Sequence, residues 1–252
     1  MKPLVIYDAD CPACGAYTKA FVRLGWLAPE ARQSNQACRD QRLIDRLDPE
    51  RMRHELPLVD LEGPEVRYGV DAILTVIGFR FPGFARLVQQ TFLYGWAKKL
   101  YAFISYNRRV VFPTAPERWQ LLDFAPRFHL GYRLLLIGLL FGMVGLIHWL
   151  ATGSLDGQSW LPLAGVLLAG GIAVHQAATT DRLPHWLDFV GHVGVSIFAG
   201  AVFNVLGIAT GLPFLLLVGH AVMVWQLVIR LRVMLLPLWL VMPFVLFILL
   251  AQ

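Results

Sequence analysis

Leu4–Tyr17 reads LVIYDADCPACGAY, and the rest of the chain is organised around it. Leu4 to Tyr7 is a short apolar, β-rich run, and Asp8-Ala9-Asp10 breaks it. Cys11-Pro12-Ala13-Cys14 follows, then Gly15 and a helical pattern carried by Tyr17, Ala20, Phe21 and Leu24, with Gly25 as its stop. A strand that runs into Cys-x-x-Cys at the start of a helix is a redox arrangement. The helix N-terminus offers unpaired N–H groups and the positive end of the dipole. Both stabilise a thiolate on Cys11, and the thiolate is the nucleophile of thiol–disulfide exchange. Pro12 fits because the first helical turn needs no N–H from it. Cys14, one turn on, is placed to resolve a mixed disulfide. Asp8 is a candidate to accept a proton from Cys14, or simply ends the strand with a turn hydrogen bond. Asp10, next to Cys11, is expected to oppose the thiolate.

The chain is 57% apolar, with a mean hydropathy of +0.57, too high for one soluble domain of 252 residues. Of 22 Lys and Arg, all but Arg182, Arg230 and Arg232 lie at or before Arg133. A charged N-terminal half is therefore joined to a nearly uncharged C-terminal half. The net charge of +5 is mild, and no basic-aromatic interleaving points to nucleic acid. Three cysteines are too few for a disulfide framework. The first apolar run ends at Asp8, too early for a signal peptide.

Along the chain, Ala28–Asn35 is polar with no clear second strand, and Leu43, Ile44 and Leu47 mark a short helix ending near Asp48-Pro49. A strand with Pro57 at its mouth, a Glu62-Gly63 turn, a return strand at Val66–Tyr68 ended by Gly69, and a helix starting at Val70-Asp71 come next. Phe79–Phe112 is aromatic and basic, and fits one or two amphipathic helices, lying at a membrane interface or docked on the domain's own core. Pro113, Pro116 and Pro126 punctuate a linker over 113–131.

This order resembles the thioredoxin-like fold. More narrowly, it resembles the DCC family of thiol–disulfide oxidoreductases, a domain of unknown function. The resemblance covers about the first 110 residues. It rests on Asp8-x-x-Cys11-x-x-Cys14, on Gly69-Val70-Asp71-Ala72 after the strand–turn–strand, and on a Tyr101…Asn107-Arg108 helix. It implies an α/β thioredoxin-like domain over 1–112 with Cys11 and Cys14 as catalytic residues. It also implies that Pro57 is a cis-proline that presents a partner's backbone; the ordinary alternative is a trans proline at a strand start.

From Tyr132 onward the sequence is membrane-like, and 132–252 is expected to be an all-α transmembrane bundle. Five apolar segments, at about 132–151, 160–178, 188–208, 212–229 and 233–251, each approach the ~20 residues of a spanning helix. Arg127 and Arg133, then Arg182, then Arg230 and Arg232 fall at alternate ends of these segments. The positive-inside rule places the N-terminal domain in the cytoplasm and the C-terminus outside. The expected location is a bacterial inner (plasma) membrane. Two spans nearly fused at Leu231 leave four crossings as the alternative count. His175 and His192 are expected near the same end of neighbouring spans, where they could ligate haem iron or a metal ion, or protonate a quinone; hydrogen bonding to a neighbouring helix is the plainer role. Gly165, Gly170, Gly171, Gly191, Gly194 and Gly200 suit close helix packing. No cysteine follows Cys38, so the membrane half cannot relay electrons by thiol exchange.

The sequence thus leads to a membrane-tethered thiol–disulfide oxidoreductase whose partners are protein or small-molecule thiols and disulfides and membrane lipid. Thiol exchange itself needs no cofactor. Two other readings stand beside it. One is a zinc site built from Cys11, Cys14, Cys38 and His54. The other is a non-catalytic thioredoxin-like interaction module.

Overall fold

The computed structural model describes residues 1–114, 122–153, 161–178 and 180–250. Part of the expected linker (115–121), the Arg/Lys-free stretch at 154–159 and the first residue of the second apolar segment lie outside the described residues. The chain forms two compact units, Met1–Arg127 and Phe128–Gln252.

The first unit is built on a four-stranded sheet. Its strands are β1 (Pro3–Tyr7), β2 (Arg32–Ser34), β3 (Pro57–Asp60) and β4 (Val66–Tyr68), in the order β2-β1-β3-β4. β1 pairs with β2 in parallel, Val5 opposite Arg32, and with β3 antiparallel, Leu4 opposite Val59. β1 is central and apolar on both faces, which accounts for its unbroken Leu-Val-Ile run. Leu4, Ile6 and Val59 pack with Cys38, Leu43, Met52, Leu122 and Phe124 on one face. Val5 and Leu58 pack with Phe21, Leu27, Ala72 and Val76 on the other.

β2 is the strand that hydropathy does not reveal. Its residues, Arg-Gln-Ser, carry no apolar signal, and parallel pairing to β1 makes the strand. Arg32 explains why so polar a strand is held there. Its guanidinium lies 3.9 Å from the Tyr7 ring centre, and it donates to Thr18 Oγ1 (2.9 Å) and to the Gly15 carbonyl (3.1 Å). The helix expected around Leu43 is a single turn, α2 (Gln41–Ile44), and a second one-turn helix, α3 (Pro49–Met52), follows where it was to end; the Asp40 and Asp48 carboxylates cap the two.

Among the described residues, this unit has four further α-helices: α1 (Pro12–Arg23), α4 (Gly69–Arg80), α5 (Pro82–Gln90) and α6 (Phe92–Val111). Gly69 turns the chain from β4 into α4 at φ +58°, and a Cβ there would press on Glu55 and Tyr101 at 3.3 Å. Asp71, in the first turn of α4, accepts a hydrogen bond from Tyr94 (2.6 Å) and sits 3.8 Å from Lys98, tying α6 to α4. The Gly-Val-Asp-Ala motif is therefore structural: a left-handed corner, an anchor, and in Ala72 a fully buried core residue. The unit also runs further than residue 112. Leu122 and Phe124 are buried in it, and Arg127 pairs with Glu50 at 2.7 Å.

The second unit contains α7 (Leu130–Thr152), α8 (Leu161–Ala177), α9 (Arg182–Thr210), α10 (Phe214–Val233) and α11 (Val241–Leu250). Three of these, α7, α9 and α10, are long and apolar enough to cross a membrane. The expectation of five full spans does not hold in that form. α8 has 17 residues, about 26 Å, the short end of what spans a bilayer. The last segment is broken where Leu235 takes φ 55° ahead of Pro237, leaving α11 with ten residues.

Contacts fix the helix directions. Arg133 lies beside Asp188, and Leu140 beside Gly194, so α7 and α9 run parallel. His192 lies beside Arg230, and Gly200 beside Gly219, so α10 runs antiparallel to α9. Glycine is required at the α9–α10 crossing, because a Cβ on Gly200 would overlap the Gly219 carbonyl and Met223. Gly200→Ala is expected to lower stability by about 1–3 kcal/mol. Gly165→Ala, with nothing within 4 Å of the added carbon, should change it by less than about 0.5 kcal/mol. Melting of the two variants in the same detergent checks this.

Candidate functional site

The Cys11–Cys14 pair sits where β1 ends and α1 begins. Cys11 is the N-cap of α1, in an extended conformation, with Pro12 in the first turn. Its sulfur does the work of a capping oxygen and accepts the Cys14 backbone N–H at 3.3 Å. The Cys14 thiol also donates to it, at 2.7 Å, and both cysteines are free thiols. Both residues are buried, at 5% and 7% exposure.

Behind the sulfurs lies a buried ion pair. Arg108 on α6 meets Asp8 at the end of β1, Nη2 to Oδ2, at 3.0 Å, with side-chain exposures of 9% and 2%. Arg108 Nη1 is 4.0 Å from the Cys14 sulfur. Its Nη2 also donates to the Phe124 carbonyl and, at 3.5 Å, to that of Arg53. Asp8 caps its own turn: Oδ1 accepts the Asp10 N–H (3.0 Å), and its carbonyl accepts the Cys11 N–H (3.3 Å). Buried Asn35 accepts the Ala9 N–H at 3.0 Å and donates to the Leu122 carbonyl at 3.4 Å.

α6 delivers Arg108 on a defined stripe. Tyr101, Ser105 and Arg108 follow at i, i+4 and i+7 on one face. The Tyr101 hydroxyl accepts the Leu56 N–H at 2.8 Å, and Ser105 donates to the His54 carbonyl. The helix thereby secures both the entrance to β3 and the residues behind the thiols.

The electrostatics separate the two cysteines. The Cys11 thiol is lowered from 9.0 to about 7, first by the Cys14 S–H hydrogen bond, against burial, with the Cys14 N–H and Arg108 adding to it. Cys14 is pushed far up, because its proton is held in that hydrogen bond and because it is buried. Asp8 is raised by burial, opposed by Arg108. Asp8 is a carboxylate that works against the Cys11 thiolate. Asp10 accepts from Gln36 at 3.1 Å.

The other sequence candidates lie elsewhere. Pro57 is buried at the start of β3, opposite Tyr68. Its peptide bond is trans, so the cis state implied by the resemblance is corrected: the amide keeps its own preference at an ordinary strand start. Cys38 is fully buried among Leu4, Ile6 and Leu43, and His54 stacks on Tyr106 at 4.1 Å. Among the described residues, no three His, Cys, Asp or Glu side chains gather as a metal site would require. His192 is buried, and its Nδ1 accepts from Arg230 at 3.0 Å, while His175 is exposed on α8. A neutral imidazole that accepts at Nδ1 carries its proton on Nε2. With Nδ1 accepting from Arg230, His192 makes the plainer helix-to-helix hydrogen bond expected of it.

Arg108 is the site residue to which sequence reasoning assigned no role. Its signal was the Asn107-Arg108 ending of the aromatic helix, whose distance from the thiols in sequence conceals the contact. Comparison with family models, curated proteins and solved structures returns no match.

Cys11 alkylation in the reduced full chain should be half-maximal near pH 7, since only the thiolate reacts. Cys14→Ala removes the largest stabilising contact and should move that midpoint up the most. Arg108→Gln should move it up by less. Iodoacetamide rates between pH 5 and 10 read all three.

Proposed function

We propose that this chain is a membrane-tethered thiol–disulfide oxidoreductase acting through Cys11 and Cys14. The observation that carries the proposal is the asymmetric pair: one sulfur capping a helix and receiving two hydrogen bonds, the other holding its proton. The mixed sheet, with a parallel β1–β2 pair and antiparallel β3 and β4, supports a thioredoxin-like domain of the kind the DCC resemblance implies.

In the forward direction, the Cys11 thiolate attacks one sulfur of a substrate disulfide. A mixed disulfide forms, and the leaving thiolate takes up a proton. Cys14 then loses its proton and attacks Cys11 Sγ, which releases the second substrate thiol and leaves a Cys11–Cys14 disulfide. Two electrons have passed to the substrate, and an external dithiol must return them. Asp8, raised by burial, is the candidate acceptor for the Cys14 proton. A cytoplasmic location, which the distribution of arginines favours, makes reduction of substrate disulfides the working direction.

Magnitudes show what the site gains. Lowering a thiol from 9.0 to about 7 raises its ionised fraction at neutral pH by about 50-fold. With a Brønsted coefficient of about 0.4–0.5, the thiolate loses roughly six- to tenfold in intrinsic reactivity. The net acceleration is between about five- and eightfold, so the site gains mainly by assigning the attacking and resolving roles.

The burial of both sulfurs favours one second reading, a thiol pair that is a closed part of an interaction module. One experiment separates the two. The full chain in detergent is equilibrated with glutathione buffers, and the Cys11–Cys14 state is read by thiol labelling. A reversible two-electron couple within about −220 to −320 mV is expected. Cys14→Ser should accumulate a dithiothreitol-sensitive adduct on Cys11, and Cys11→Ser should not. Absence of a reversible couple and of any adduct would leave the interaction module as the reading.

A further inference from the structure

The face of α6 opposite the Tyr101–Ser105–Arg108 stripe is apolar and uncovered. Phe92, Trp96 and Leu100 are 76%, 68% and 60% exposed, and Phe84 and Leu87 on neighbouring α5 are 54% and 58%. On α5 only Ala85 and Val88 turn inward. Docking on the domain's own core, one of the two expectations for this stretch, therefore does not account for it. The inward sides of α5 and α6 make the core contacts, and the aromatic sides are left over.

Charge identifies what meets this face. Between Asp71 and Glu117 there is no acidic residue, while Arg80, Arg86, Lys98, Lys99, Arg108 and Arg109 are all present. Arg108 is used internally. Arg80, Arg86 and Lys99 are exposed beside the aromatic face, and Lys99 lies 6.0 Å from the Trp96 ring centre; Lys98 turns to Asp71 on α4. A large apolar surface rimmed by cations of one sign fits the headgroup boundary of an anionic bilayer: rings sink to the acyl boundary and Lys and Arg stay among the phosphates. A second copy of the chain would bring the same cations against themselves. Proximity is also built in, since this unit ends at Arg127 and the apolar helix α7 begins at Leu130.

We propose that the outward face of α5 and α6 is a membrane-binding surface that seats on anionic phospholipid. This does not depend on the redox chemistry of the thiols.

The test uses the full chain reconstituted in phosphatidylcholine–phosphatidylglycerol vesicles. Trp96 emission is isolated as the difference between the native chain and Trp96→Phe, a change at an exposed position. Brominated acyl chains should remove roughly half or more of that emission, and aqueous acrylamide should have little effect. The lipid quenching should weaken in pure phosphatidylcholine and in an Arg86→Glu/Lys99→Glu variant. Strong acrylamide quenching without lipid quenching would mean a face left in water. Protection from both quenchers would mean a face covered by protein, either a second copy or another part of the chain. Either result overturns the proposal.

Discussion

The first unit depends on the buried pair between Asp8 and Arg108. A buried ion pair is a poor source of net stability, because desolvating two charges costs about what their attraction returns. Removing one partner is a different matter and costs about 3–5 kcal/mol, because the other charge is left buried. The pair therefore acts as a constraint. It requires the end of β1, the last turns of α6 and the segment at Phe124 to be in place together, since the same guanidinium nitrogen also reaches the Phe124 carbonyl. The thiols lie within that constraint. Arg108 lowers both cysteines and Asp8 raises both, so the pair partly cancels as a field while fixing where the sulfurs sit.

The features legible in the sequence were those encoded over a few residues. A β-rich run into Cys-Pro-Ala-Cys predicts a strand, an N-cap and a helix, because each rests on neighbours. Gly69 is legible for the same reason, as only glycine takes its left-handed corner without strain. β2 was not legible, because Arg-Gln-Ser becomes a strand only by pairing with β1. Leu122 and Phe124 read as linker, yet they close one face of the sheet through contacts nearly the whole domain away in sequence. Arg108 belongs to the same class. In the apolar half, composition marked the helices well and their lengths poorly, because Leu235 and Pro237 break the backbone without lowering the hydropathy around them.

The second unit adds an argument about topology that helix length alone does not supply. α7 and α9 lie side by side and run parallel. Neighbouring parallel helices in one chain need a return between them, and α8 is the helix that lies there in sequence. With α10 antiparallel to α9, the three long apolar helices α7, α9 and α10 run up, up and down.

That order also changes what the arginines mean. The positive-inside rule treats cations near span ends as loop charges. Arg182 and Arg232 are exposed and fit that role. Arg133 and Arg230 are buried, one beside Asp188 and the other against His192. Because α7 and α9 run parallel and α10 opposes them, the start of α7, the start of α9 and the end of α10 all lie at one end of the bundle. Buried and exposed arginines therefore gather at the same end of the bundle. A charge buried among apolar helices is costly unless a partner meets it. Arg133 and Arg230 each meet one on α9, which makes that helix the element against which both of its neighbours are registered.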